Sequence, residues 1–285
     1  MIKHLLVFGP GYTASPVMAR AKAEGWRVTG SYRDNKGQAQ LEQAGCQAVP
    51  FSAGQLDTDL PVSHVLTSIA PLEAGDPVLR LWESWLKQQK ALCALHYLSS
   101  TNVYGDRGGA WVDETSLPVP TLKRGILRLE AETAWQTLAT DMALPCFTYR
   151  LAGIYGPGRN SFTALKAGKA RRIIKPGQVF GRIHRDDIAN TVWAALNSKH
   201  KSGIFNLADD LPAPPQDVVA AAAKLLGMPV PPATKLENAD LSVMAQSFYA
   251  ENKRVRNDKI KKELGITLLY PSYKEGLAAL LKELE

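Results

Sequence analysis

The chain has 285 residues, 45% hydrophobic and 21% charged, with a formal net charge of +7, values ordinary for a soluble globular protein with one large unit or one unit and a smaller lobe. The charge is uneven: from Met142 to Arg185 there are nine Lys or Arg and no Asp or Glu. Such a stretch is either a solvated basic face or an attractor for an anionic ligand, and without a nucleic-acid-binding signature it speaks against a nucleic-acid partner.

The first apolar run, Leu5 to Phe8, is stopped by Gly9 and Pro10. It predicts a strand (4–9) and is too short for a signal-peptide core or a membrane span. Residues 15–25 have helical spacing with a glycine stop, 26–33 are rich in β-formers, and 35–45 are again helical. "CQAVPF" and "HVLTSIA" predict two more strands, 76–90 a helix, 95–101 a strand, 122–140 a long helix, and 145–156 a strand running into a loop. Strands alternating with helices at this pace predict an α/β, Rossmann-like doubly wound parallel sheet. Beyond Gly156 the sequence turns basic and loop-rich, returns to helix at 186–198 and strand at 203–209, and ends in an Ala-rich helix between prolines and short helical pieces. The expected division is a nucleotide-binding unit of 1–154 plus 182–209 and a smaller, discontinuous substrate lobe of 155–181 plus 210–285. Cys46, Cys93 and Cys146 have no metal or redox spacing, which makes a reducing, cytoplasmic setting the default and offers no metal site.

Gly9-Pro10-Gly11-Tyr12-Thr13-Ala14 is a G-x-G-x-x-A between the first strand and the first helix. In that context the first glycine permits a tight turn and the second lets the backbone approach a pyrophosphate. The small third position lets the helix, whose N-terminus faces the phosphates, pack on the sheet. An NAD site usually offers an acid to the adenosine ribose about twenty residues on. Here the second strand ends Gly30-Ser31-Tyr32-Arg33, with no acid before Asp34. Arg33 suits a 2′-phosphate, with Tyr32 beside it, so NADP is expected in preference to NAD.

"LSSTNVYGD" (98–106), "WVDETSLPVP" (111–120), "YRLAGIYGPGR" (149–159), "RIHRDDIA" (182–189) and "GIFNLADD" (203–210), taken in order, resemble the extended and atypical short-chain dehydrogenase/reductases, the NAD-dependent epimerase/dehydratase group. The resemblance covers about the first 210 residues. It implies a cofactor on the glycine loop, a Ser/Thr that polarises the substrate, and a Tyr-x-x-x-Lys pair on the next helix, whose Tyr moves a proton while the Lys holds the nicotinamide ribose. It also implies that Ser68, Ile69 and Ala70 border a ribose, that Leu151 to Gly153 face the nicotinamide, and that two chains pair through the 76–90 and 122–140 helices. Tyr104, Arg159, Arg182 and Arg185 would lie on the substrate side.

Ser100 matches the first catalytic role, but no tyrosine occurs between Tyr104 and Tyr149. Arg124 and Arg128 stand where the Tyr and Lys would be, with Glu132 as the glutamate that often follows the lysine. Arginine stays charged and cannot act as a general base, although Arg128 can still bind ribose or phosphate and Arg124 an anionic group. Tyr104, Tyr155, Lys123, Asp113 and His184 are alternative proton carriers. Two readings follow. One is an NADP-dependent oxidoreductase or epimerase-like enzyme acting on a small, possibly anionic, carbonyl or hydroxyl compound. The other is a cofactor-binding sensor or scaffold that has lost turnover.

Overall fold

A computed structural model describes residues 2–57, 60–198 and 202–284. In chain order, β1 (His4–Phe8), α1 (Ser15–Ala23), β2 (Arg27–Tyr32), α2 (Asn35–Gln43), β3 (Gln47–Pro50), β4 (His64–Thr67), α3 (Pro77–Leu86), β5 (Ala94–Ser100), β6 (Trp111–Val112) and α4 (Lys123–Asp141) lead to β7 (Cys146–Leu151). The second half contributes β8 (Gly153–Tyr155), α5 (Ser161–Lys166), β9 (Arg172–Ile174), β10 (Arg182–His184), α6 (Arg185–Leu196) and β11 (Gly203–Leu207). It ends with α7 (Pro215–Leu225), β12 (Ala233–Lys235), α8 (Val243–Tyr249), β13 (Arg254–Val255), α9 (Asp258–Leu264) and α10 (Tyr273–Lys282).

Seven strands form one sheet in the order β11-β7-β5-β4-β1-β2-β3, and every pair within it is parallel. The alternation of β1 shows why both faces need helices. Leu5 and Val7 join the core with Met18 of α1, Leu41 of α2 and Val192 of α6. Leu6 and Phe8 join the opposite core with Trp82 of α3 and Trp135 of α4. A strand apolar on both faces is stable only when both are covered. Two helices of the large sheet start at short polar side chains that cap them: Asp34 accepts from the Gly37 amide at 2.8 Å, and Asp76 from the Val78 and Leu79 amides.

The doubly wound parallel sheet is therefore as expected, with three local differences. Residues 145–156 are two strands rather than one: β7 stays in the large sheet, and after Ala152 the chain leaves it to pair β8 with β10. The basic stretch expected as loop contains α5 and β9. The C-terminal third also divides its packing. Tyr155, Phe162, Val218, Tyr273 and Leu277 form a small separate core, whereas Val255, Ile260, Ile266 and Leu268 are buried in the core of the large sheet. Apolar spacing in 250–268 was compatible with either attachment, and periodicity carries no information on which core a helix joins.

Candidate functional site: a cleft at the carboxyl ends of the strands

The glycine loop follows β1 directly. Gly9 has φ +75°, and a Cβ there would stand 2.9 Å from both Ile69 Cγ1 and Ser68 Oγ, so no other residue fits without strain. Its carbonyl accepts from the Gly11 amide at 2.7 Å and from the Ser68 hydroxyl, and its amide donates to Ser31 Oγ at 3.3 Å. Around Gly11, by contrast, a Cβ would meet nothing nearer than 4.0 Å; the missing side chain opens space outward. Ala14 is fully buried under α1, and the helix has no side-chain N-cap. A tight turn, an open second glycine and an uncapped helix start are the features that suit a pyrophosphate.

Tyr12 projects from this loop with Arg185 at 5.0 Å and Arg159 at 5.9 Å from its ring. Its hydroxyl is buried without a partner, and burial raises its pKa despite both arginines. Arg159 lines the cleft, but Arg185 does not; Arg185 lies beside the loop's tyrosine and holds Asp186 at 3.3 Å. At the end of β2, Tyr32 is half-buried and Arg33 exposed. Ser68 lines the cleft with Thr13, Ile69 packs behind it, and Ala70 is exposed and off the lining.

The cleft, about 640 Å³ in volume, runs from this loop past the ends of β5 and β7 to the smaller core. Ser100 ends β5, lines the cleft, and accepts from the Asn102 amide at 3.2 Å. Helix α4 presses against this turn because residue 125 is glycine: a Cβ there would be 2.6 Å from the Asn102 carbonyl oxygen. The close approach brings Arg124 and Arg128 to the cleft wall.

Both arginines are held. Arg128 donates through Nη1 to Leu98 O at 2.9 Å and Tyr97 Oη at 3.0 Å, and among the described residues its Nε/Nη2 edge makes no hydrogen bond. Arg124 donates to Ser247 Oγ at 3.0 Å and Ser247 O at 3.3 Å and stacks on Phe248 at 4.4 Å. Glu132 points into the core instead. It takes a two-pronged ion pair from Arg150, with Nη2–Oε2 at 2.8 Å, and the Ser99 hydroxyl at 2.5 Å. Burial of that pair costs desolvation, which charge-assisted hydrogen bonds on both sides offset.

The alternative proton carriers fare unequally. Tyr104 is fully buried, donates to Asn206 Oδ1 at 2.7 Å and lies off the lining, which corrects its expected place beside the substrate. Its apolar ring sits in the core and faces the Arg150 guanidinium at 4.8 Å. Lys123 pairs with Glu73 on the surface. Asp113 closes its own turn through Thr115 and Ser116. His184 starts α6, is buried, and is held neutral by desolvation with a pKa of about 4. Tyr155 lines the cleft but directs its hydroxyl to Ser272 O at 3.4 Å, and burial raises its pKa strongly.

Gly153, Arg159 and Arg182 line the cleft as expected from the sequence, and so do Glu251, Lys253, Phe180 and Phe248, which no motif or spacing had singled out. Lys253 Nζ donates to Glu251 Oε2 at 2.6 Å and to Gly105 O at 2.8 Å. Glu251 also accepts from Thr121 Oγ1 at 3.1 Å. Desolvation lowers the Lys253 pKa; the Glu251 carboxylate opposes it. The lining thus carries Arg124, Arg128, Arg159, Arg182 and Lys253 against the single carboxylate of Glu251. The resemblance pointed to Arg124 and Arg128 and the acid-free stretch 142–185 to Arg159 and Arg182, but nothing in the sequence pointed to Lys253. Among the described residues no group of three or more His, Cys, Asp or Glu is arranged for a metal, and no helix is long and apolar enough to cross a membrane.

No family model matches the chain, and no curated protein matches it. Among solved structures it is 46% identical to a functionally unknown conserved protein from Silicibacter pomeroyi, over 99% of each chain, with a TM-score of 0.92. It is similar, at 19% identity over 99% of this chain and 100% of the other, to UDP-glucuronic acid 4-epimerase from Bacillus cereus in complex with UDP-glucuronic acid and NAD, with a TM-score of 0.75. A dTDP-glucose 4,6-dehydratase from Bacillus anthracis in complex with NAD is 15% identical over 98% of this chain and 96% of the other, also with a TM-score of 0.75. At such identities the likeness to the last two is one of fold.

Proposed function

The chain belongs to the same family as the conserved Silicibacter pomeroyi protein, and from that premise and the geometry of the cleft we propose that it binds a nicotinamide dinucleotide, NADP(H) in preference to NAD(H). It would act on a small carbonyl or hydroxyl compound as an oxidoreductase or epimerase-like enzyme. The observation that carries this reading is the loop itself: Gly9 locked under Ser68 and Ile69, Gly11 open, and α1 uncapped. In this reading Gly9, Gly11, Thr13 and the α1 N-terminus receive the pyrophosphate, and the free edge of Arg128 receives ribose hydroxyls. Arg33 takes the 2′-phosphate.

A bound nicotinamide supplies hydride exchange. The chain's own part is to orient and polarise: Ser100 Oγ hydrogen-bonds the substrate oxygen, and the fixed guanidinium groups stabilise negative charge near it. No arginine takes the proton. A second reading, binding without turnover, draws support from one observation: Arg124 is tied to Ser247 and Arg128 to Leu98 and Tyr97, so neither stands as a proton donor.

The test is a fluorescence titration of the purified protein with NADPH, NADH and NADP+ side by side. Tight NADPH and weak NADH binding is the expected outcome, followed by NADPH oxidation with a carbonyl panel that is lost in Ser100→Ala. Binding of none of the three would overturn the reading. Binding without turnover, with a large difference in affinity between NADPH and NADP+, would establish the sensor, because only differential affinity shifts a conformation.

A further inference from the structure

The half of the cleft beyond Ser100 has a composition that a neutral sugar or alcohol does not explain. Its walls are apolar: Val179, Phe180, Phe248 and Val255. Three cations from three separate elements face the same space: Arg124 of α4, Arg182 of β10, and Lys253 just before β13. Each is fixed from behind. Arg182 uses Nη1 alone, donating to Phe180 O at 2.9 Å and Ala213 O at 3.0 Å. Among the described residues its Nε and Nη2, the two parallel donors of the guanidinium side edge, make no hydrogen bond. The mode is visible elsewhere in the molecule, where Arg150 offers the same edge to the Glu132 carboxylate. Lys253 has two of its three donors engaged, and the Nε of Arg124 is buried with none.

Gathering like charges in a partly desolvated cleft is unfavourable unless an anion completes it. Glu251 compensates Lys253, which it binds at 2.6 Å, and its other oxygen accepts from Thr121, while among the described residues neither Arg124 nor Arg182 makes an ion pair. Desolvation lowers the Arg182 pKa against the opposing charge of the buried Asp209 carboxylate, and desolvation with the Arg124 charge lowers that of Lys253 against Glu251.

We propose that this half of the cleft is a carboxylate subsite, in which the Arg182 side edge receives the two oxygens of a substrate carboxylate while Phe180 and Phe248 flank a flat apolar body. The substrate class is an aryl- or alkyl-carboxylate bearing the reactive carbonyl or hydroxyl. This deepens the functional reading above and rests on it for the reaction, though the binding itself does not need the cofactor. A planar two-oxygen anion matches the two parallel donors of a guanidinium edge, and the apolar walls disfavour a hydrated phosphate or a sugar.

The probes are 3-phenylpropanoate, its neutral amide, and inorganic phosphate, titrated calorimetrically into the purified protein with and without saturating NADPH. The acid is expected to bind at least about tenfold more tightly than the amide, in line with charge-assisted hydrogen bonds, and phosphate more weakly than the acid. Arg182→Gln should bring acid and amide to equal affinity, and Arg182→Lys should restore only part of the difference. Phe248→Ala, at a residue 49% exposed and therefore tolerant of change, should weaken acid and amide by similar factors. Equal binding of acid and amide by the wild type, tighter binding of phosphate, or an unchanged preference in Arg182→Gln would each overturn the subsite. If acid is preferred over amide but NADPH does not bind, the cofactor reading falls while the subsite stands.

Discussion

Gly125→Ala sets two opposed effects against each other at the residue that seats α4. Alanine is favoured over glycine inside a helix by up to about 1 kcal/mol, and less in the first turn, where residue 125 lies. Against it, the new Cβ would stand 2.6 Å from the Asn102 carbonyl oxygen, 3.2 Å from that carbonyl carbon and 2.9 Å from Pro120 Cβ. Two of these three neighbours are backbone, so no rotamer change relieves the contact, and α4 must back away from the turn by roughly 1 Å to reach ordinary van der Waals separation. Overpacking of this kind costs about 1–3 kcal/mol, and it wins. A net loss of about 1–2 kcal/mol corresponds to a fall in Tm of roughly 2–8 °C for a unit of this size. The same displacement moves Arg124 and Arg128 relative to Ser100, so NADPH affinity should fall along with Tm. Calorimetric unfolding and the fluorescence titration measure the two effects on one preparation. A Tm equal to or above wild type would mean that helix propensity prevails and that α4 is not seated by this contact.

Arg33→Ala should weaken NADPH binding much more than NADH binding in the same titration, and an equal effect on both would refute the 2′-phosphate role. Glu132→Gln leaves the Arg150 guanidinium buried opposite a neutral amide and should cost about 3 kcal/mol in urea unfolding, near the low end for breaking a buried pair; a loss below roughly 1 kcal/mol would contradict the pairing. Asp209 is buried, and desolvation raises its pKa to about 8 although the nearby Arg182 guanidinium lowers it. The folded state therefore holds more protons than the unfolded one between about pH 4 and pH 8, so this group's contribution is full below pH 4 and is lost as the pH rises to 8. Asp209→Asn should flatten the fall in stability over that range, and an unchanged pH profile would count against it. Leu81 of α3 and Ile126 of α4 are exposed, and pairing of two chains through these helices predicts a dimer in light scattering at micromolar concentration; a monomer there removes the proposal.

The large sheet was legible because its signal is local. Runs such as "HLLVF" and "HVLT" bounded by Gly, Pro and helical spacing carry their own period, and β1 and β4 appear where expected. The glycine loop was legible for the same reason: turn, approach and packing are demanded of three residues within six. The far half of the cleft was not. Lys253 reaches it by bonding to Gly105, and Glu251 by bonding to Thr121, contacts between positions about 130 to 150 apart that leave no trace in spacing. Tyr104 misled because its neighbours on the chain do border the cleft; the sharp turn after Ser100 sends the next aromatic ring inward to Asn206.

Those same long-range bonds bear on how the protein is made. The strand β6 pairs with β13, whose residues stand more than 140 positions later, and Asp106 accepts from the Asn252 amide. During synthesis from the N-terminus, the glycine loop and Ser100 leave the ribosome long before residues 251–255 exist to complete the wall opposite them. The nascent chain therefore carries its nucleotide loop early and its finished cleft late, and a chain released before residue 251 would lack the last side of its own site.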